Sequence, residues 1–517
     1  MADGTKPPGQ WRRVGTSVLD VALVFLVFVV HAAWPVPDVN EAHYLCKAKH
    51  YWEPEWCGRD LFLASADSHV VFYATLGVLA HLLPLPVAAW VGRLLVWGAL
   101  AWGWRRLSTA VVPRFGVAAV SASLALVLNA YGAMAGEWFI GGLEAKGVAY
   151  ALVFFGLADV VAARWGRGLV LLGGAAAFHV LVGGWSLAAA AFAWLVDRRT
   201  ARPSAASLVP AAALSLALAA CGIVPGLLLT RGADPIAVAE ANRFLVGTRI
   251  AHHLYPPFFL ETFGPRHAQL WLVLIAAWCW FPAEPPRRRL RGFVLATGLI
   301  SLTGLAIARF GAGPQPWAAA LLKFYWFRLA DTAVAVGGAI ELAATTAALR
   351  LPLLRLAVWA LLGLAAAAHG ARQFALRELS PMGRGERLFA AANLPDWRDV
   401  CRWFREQTPT DALVLTPRSF QSFKWYAQRA EFATWKDMPQ DASSLVAWSQ
   451  RLADLYGNED GWVQFFPRER IVDVCRRYDV DYVVTYGDPP IALPVAYRNN
   501  TFTVYRPFPE SSSSSSR

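Results

Sequence analysis

Eleven long apolar stretches, separated by short arginine-rich turns, constrain this chain more than any other feature of its sequence. They lie near residues 16–34, 87–104, 115–132, 146–163, 168–182, 184–196, 206–230, 268–282, 292–309, 329–347 and 356–371. A hydrocarbon core ~30 Å thick is crossed by about 20 helical residues, and a chain with so many apolar segments has to place them in a bilayer. Composition agrees: of 517 residues, 56% are hydrophobic and only 16% charged, with a mean hydropathy of +0.38. A soluble domain carries about 25% charged residues. The expected fold class is an α-helical polytopic membrane protein of about 11 transmembrane helices. Thr16 to Trp34 lacks a small-residue cleavage site before a soluble chain, so it reads as the first span rather than a signal peptide.

The net charge of +12 raises the possibility of a nucleic-acid partner. The arginines argue otherwise, because they sit in short turns between spans, as topology signals do. Lys6, Arg12 and Arg13 place the N-terminus in the cytoplasm. Arg105 and Arg106, Arg164 and Arg167, Arg198 to Arg202, Arg287 to Arg291, and Arg350 with Arg355 then fall on the same side. Residues 70–85 are apolar enough to cross, but a crossing there would turn every later cluster outward. That stretch is therefore expected to be an interfacial helix on the outer leaflet, following an outer loop at 35–69. The C-terminus comes out extracytoplasmic, and the inner (plasma) membrane is the expected location.

The membrane domain is expected to occupy 1–372. From 386 to 509 the composition becomes that of a water-soluble α/β domain, and 510–517 is a serine-rich, disordered tail. Asp396–Arg405, Ser443–Leu455 and Arg468–Tyr478 have helical apolar spacing. Ala412–Thr416 and Asp481–Tyr486 read as buried strands, and Thr501–Tyr505 as an edge strand. Cys46 and Cys57 share the first outer loop, where a disulfide and two free thiols are equally open readings. Cys401 and Cys475 are expected to be buried thiols.

Chemistry-bearing residues gather on the outer side. Asp38 and Glu41 follow the first span. One reading is a helix capped by Asn40, with an acidic first turn. The other is a general base, or a pair of carboxylates holding a divalent metal, at the mouth of a membrane cavity. No other cofactor is indicated. Glu137 and Glu144, in the second outer loop, are either a second acid or loop polarity. Arg243, Arg249, His252, His253, Lys323 and Arg328 run against the positive-inside bias, and binding a lipid-carrier phosphate or the headgroups of membrane lipid would account for them. Arg328 and Asp331 are also spaced for an internal helix pair. Arg93, inside a span, needs a neighbouring acid or carbonyl.

Asn40-Glu41-Ala-His43-Tyr44, placed after span one and before an interfacial helix, resembles the first-loop motif of the GT-C superfamily. These membrane glycosyltransferases include protein mannosyltransferases and aminoarabinose lipid A transferases, and the chain looks most like an uncharacterised bacterial branch. The resemblance implies an inverting transfer from a polyprenyl-phosphate sugar donor to an acceptor it does not identify. Glu41 or Asp38 would act as the base or as a metal anchor, with Arg249, His253 or Arg328 neutralising the leaving phosphate. The chain departs from the pattern at Asn40, where relatives carry their first acid. Two alternatives remain. A non-catalytic scaffold or degenerate relative would direct its carboxylates into water or structural salt bridges. A transporter would show internal repeats and midplane charges, which the sequence lacks.

Overall fold

The computed structural model describes residues 8–197, 202–311, 315–378, 383–384, 393–457 and 462–508. The serine-rich tail and most of the 379–392 linker lie outside the described residues. Each expected span is met by a helix: Pro8–Ala32, Leu85–Val111, Val117–Gly132, Ala145–Val161, Trp165–Phe178, Val180–Val196, Ala205–Leu228, Leu260–Trp280, Pro285–Phe310, Arg328–Ala348 and Pro352–Glu378. Among the described residues, five are individually long and apolar enough to cross a bilayer, namely those beginning at 8, 85, 205, 285 and 352. The protein is thus a helical polytopic membrane protein with a C-terminal α/β domain.

In three of the arginine-rich turns, arginines meet buried acids. Arg106 and Arg164 reach Asp159 at 2.8 and 2.6 Å, Arg289 reaches Asp197 at 2.7 Å, and Arg287 reaches Glu341 at 2.5 Å. The apolar context of Asp159 and Glu341 concealed these partners in the sequence. A guanidinium at a span end needs a counter-charge once its surroundings are dry.

The 70–85 stretch departs from expectation. It is not one helix but three short pieces, Val70–Ala74, Leu76–Val78 and Leu79–Leu82, ahead of the long helix that begins at Leu85. The Thr75 hydroxyl donates back to the Val71 carbonyl at 2.5 Å, and Thr75 breaks the run with ψ of −96°. A piece of five residues spans only about 8 Å, far short of a bilayer.

In the C-terminal domain, strands β1 (Leu413–Leu415), β2 (Ala430–Glu431), β3 (Tyr482–Tyr486), β4 (Val495–Arg498) and β5 (Phe502–Tyr505) form one mixed sheet in the order β2-β1-β3-β5-β4. The first three strands pair in parallel, and the last two add antiparallel. The expected edge strand, 501–505, is interior, and all four residues of β5 are buried. Its apparent alternation comes from Thr503, which is fully buried and accepts from Arg498 Nε on β4 at 3.0 Å. The Leu394–Gln407 helix packs Trp397, Val400 and Phe404 onto this sheet. Cys46, Cys57 and Cys475 are free, buried thiols, and Cys401 is likewise buried.

The domain docks onto the first long loop through a buried ionic network. Lys424 binds Asp437 and Glu431 at 2.6 Å each and Asp60 at 3.2 Å, and His43 Nδ1 lies 2.9 Å from Asp437. Burial lowers the Lys424 pKa, yet the three carboxylates outweigh it and hold the ammonium well above the ordinary lysine value. Burial carries Glu431 up to about 7, with Lys424 opposing and Asp437 adding to the rise. Arg59 extends the contact to Asp481 at 2.6 Å and Asp479 at 2.8 Å.

Candidate functional site

Asp38 and Glu41 are brought together, and each is closed by an arginine. Glu41 and Arg93 are both fully buried, joined by Nε to Oε1 at 2.6 Å and Nη2 to Oε2 at 2.5 Å. The backbone N–H groups of Leu143 and Asp38 also donate to Glu41, at 2.8 and 2.7 Å. The 133–144 segment approaches so closely here that a Cβ on Gly142 would lie 2.7 Å from the Glu41 carboxyl carbon. Asp38 receives two hydrogen bonds from Arg384, at 2.9 and 2.6 Å. Burial would raise its carboxyl, but the Arg384 guanidinium outweighs that and holds it below the usual aspartate range. With two guanidinium groups bound to them, these carboxylates do not fit a divalent cation. Among the described residues there is no cluster of three or more His, Cys, Asp or Glu side chains arranged to hold one.

Asn40 stands at the N-cap of the Glu41–Trp52 helix without capping it. Its Nδ2 instead donates to Glu144 Oε2 at 2.6 Å, and Trp138 Nε1 donates to Glu144 Oε1 at 3.1 Å. Glu144 begins a second group of polar residues. Lys146 lies 3.7 Å from Glu144 and 3.6 Å from Glu137, with its ammonium 3.4 Å from the centre of the Trp138 ring. Arg328 pairs with Glu137 at 2.9 Å, donates to His179 Nε2 at 3.2 Å and covers the Tyr325 ring at 3.8 Å. Tyr44 meets His69 at 3.2 Å, and the His69 and His179 rings are 5.4 Å apart. Burial lowers His69 to about 4, so it is neutral at physiological pH.

The Asp331 carboxylate does not pair with Arg328. It accepts from the backbone N–H groups of Met134, Ala135 and Glu137 at 2.8, 2.9 and 3.1 Å, which fixes the turn that carries Glu137. Gly136 in that turn has φ of +69°, and a Cβ there would sit 3.1 Å from the His253 ring. His253 Nδ1 donates to the Ala135 carbonyl at 2.5 Å. Burial, then the neighbouring His252 and Arg328, push its pKa down to about 2.

The C-terminal domain faces this group with Trp435-Lys436-Asp437. Arg249 donates to the carbonyls of Trp435 at 2.7 Å and Lys436 at 3.2 Å, and lies over the Trp435 ring. Asp437, tied to His43 and Lys424, fixes the other end. Between these anchors, burial and the nearby Arg249 lower Lys436 to about 8, although Glu144 and Asp437 favour its charge.

Of the residues expected to act, Glu137, Glu144, Arg249, His253 and Arg328 therefore converge. Lys323 donates to Asn242 at 3.2 Å. Exposed Arg243 lines a separate depression of about 250 Å³ with Glu240, Thr248 and Ser449. His252 is exposed, with its ring 4.0 Å from that of His253. Sequence reasoning missed Lys146, Lys436, Arg384 and Trp138. The available signals were the Glu137-Trp138 and Glu144-Ala-Lys146 charges beside an aromatic, and Trp435-Lys436-Asp437 in the soluble domain.

A family model described as a domain of unknown function (DUF6798) matches residues 395–455. No curated protein matches the chain. Among solved structures, the Archaeoglobus fulgidus oligosaccharyltransferase in its apo form is similar at 13% identity and a TM-score of 0.43, covering 92% of this chain and 69% of that one. The same enzyme in complex with Zn and sulfate gives 14% identity, 91% and 68% coverage and a TM-score of 0.43. A likeness this loose does not superpose side chains, so no residue role transfers from it.

Proposed function

We propose that the protein is a GT-C-like glycosyltransferase using a polyprenyl-phosphate-linked sugar at the extracytoplasmic face, with its N-terminus in the cytoplasm. The observation that carries this reading is the meeting of Glu137 and Glu144 with Lys146, Arg328, Arg249 and Lys436 at the rim where the C-terminal domain docks. Such a group offers carboxylates for proton transfer and cations for a leaving phosphate. The base is assigned to Glu144, because Glu41 and Asp38 are each closed by a guanidinium. An acceptor O–H or N–H would attack the anomeric carbon and pass its proton to Glu144. The bond from that carbon to the phosphate oxygen breaks, and its electron pair leaves with the polyprenyl phosphate.

The test is transfer of labelled sugar from a polyprenyl-phosphate donor by the purified full chain. Glu144→Gln is expected to reduce transfer by about 100-fold or more, the scale of lost general-base catalysis. Wild-type rates in that variant would remove the assigned base. One observation favours a second reading, a non-catalytic relative: Asp38 and Glu41 both end in structural salt bridges. Phosphate-ligand binding without transfer across a panel of donors and acceptors would favour it.

A further inference from the structure

Lys146 is only 6% exposed, yet among the described residues its ammonium donates no hydrogen bond. Its two carboxylate neighbours stand off at 3.6 and 3.7 Å, beyond normal hydrogen-bonding distance. Lys436, half-buried at the domain junction, likewise has no ion pair or hydrogen bond from its ammonium among the described residues, while Glu144, Lys146 and Arg249 lie within electrostatic reach. A buried ammonium with unused donors is costly unless something else accepts from them.

The charge balance indicates what that acceptor is. Glu137 and Glu144, with Asp437 also within electrostatic reach of Lys436 and Arg249, face four cations, Lys146, Lys436, Arg249 and Arg328, so the cations outnumber the carboxylates. The neighbouring His253 and His69 add none at neutral pH. A divalent cation would be repelled here. It would also have to displace Lys146, since a hard metal needs carboxylate oxygens at about 2.0–2.6 Å. Asn40 further supplies an amide, not a second carboxylate, against Glu144.

We infer that this rim binds the phosphate of a polyprenyl phosphoester directly on Lys146 and Lys436, without a divalent metal, so that the C-terminal domain completes the binding site. The inference rests on the donor-site reading given above and names the groups that hold the donor. Among the described residues, Arg249 donates through Nε and Nη2, which leaves its Nη1 to add to the contact. The lowered pKa of Lys436 gives the site a pH signature. Its ammonium faces Arg249, Lys146, Glu144, Asp437, His252 and His43, and phosphate binding should weaken as pH rises through about 8.

The test is isothermal titration of farnesyl phosphate into the full chain in phosphatidylcholine nanodiscs, with EDTA or with Mn²⁺ present, and farnesol as the phosphate-free control. The expected result is equal affinity in EDTA and Mn²⁺ and no comparable binding of farnesol. Lys146→Met and Lys436→Met should each weaken binding by about tenfold, the scale of one lost charge-assisted contact. Lys436→Arg should restore the affinity and abolish the weakening above pH 8. An unchanged melting temperature checks that Lys436→Met folds. Binding that disappears in EDTA and returns with Mn²⁺, or that survives both methionine substitutions, would overturn the inference. Displacement by phosphatidylglycerol would assign the cations to bilayer headgroups and also overturn it. Phosphate binding without sugar transfer would leave this site standing while counting against the transferase reading.

Discussion

At the scale of single residues, acids adjacent in sequence perform different tasks according to what faces them. Glu41 ties the first long loop to the 85–111 helix through Arg93 and to the 133–144 segment through the Leu143 N–H. Removing one partner from a fully buried pair leaves the other charge stranded, at a cost of about 3–5 kcal/mol. Glu41→Gln is therefore expected to lower the melting temperature of the purified protein sharply, whereas Glu144→Gln, whose partners are an amide, an indole and a distant ammonium, lowers it much less. Equal melting temperatures for the two variants would contradict this division. The sequence marked the 38–44 segment as special, and the segment does border the candidate site. It did not reveal which acids are neutralised, because Arg93 is 52 positions from Glu41 and Arg384 is 346 positions from Asp38. Such pairings arise only from tertiary packing. Lys146 escaped notice for a related reason, since a lone lysine at the head of an apolar span looks like an interfacial anchor.

At the scale of elements, the apolar stretches and the soluble domain were legible because length and periodicity carry them. The Arg468–Tyr478 helix has the bounds its pattern implies, and the eleven span helices lie where the apolar runs lie. The irregular pieces were less visible. Residues 70–85 broke into short turns at Thr75, and the two-residue strand β2 had no pattern long enough to read. How the soluble domain attaches was equally hidden, because it depends on Lys424 meeting Asp60 from a distant loop. Lys424→Met would leave Asp60, Glu431 and Asp437 facing one another with no counter-charge. It is expected to release the domain from the 41–64 region, seen as faster hydrogen exchange at both 41–64 and 424–437. Unchanged protection in those segments would show that the network does not hold the domain in place.

At the scale of the whole molecule, charge is sorted between two rims. One gathers arginine-rich turns, where Arg106, Arg287 and Arg289 are spent on buried acids and carbonyls. The other gathers the long loops and the soluble domain, where among the described residues the Lys146 and Lys436 ammonium groups donate no hydrogen bond. The second pattern is what an anion site at a membrane surface requires. On this account the soluble domain is part of the binding site, held by the Lys424 network so that Lys436 reaches the membrane domain. The most direct measurement is a cryo-electron microscopy map of the full chain in nanodiscs with farnesyl phosphate and EDTA. The account predicts phosphate density within about 3 Å of the Lys146 and Lys436 ammonium groups, as charge-assisted contacts require. Phosphate density at the Asp38–Glu41 pair instead, or none at this rim with ligand bound elsewhere, would contradict it.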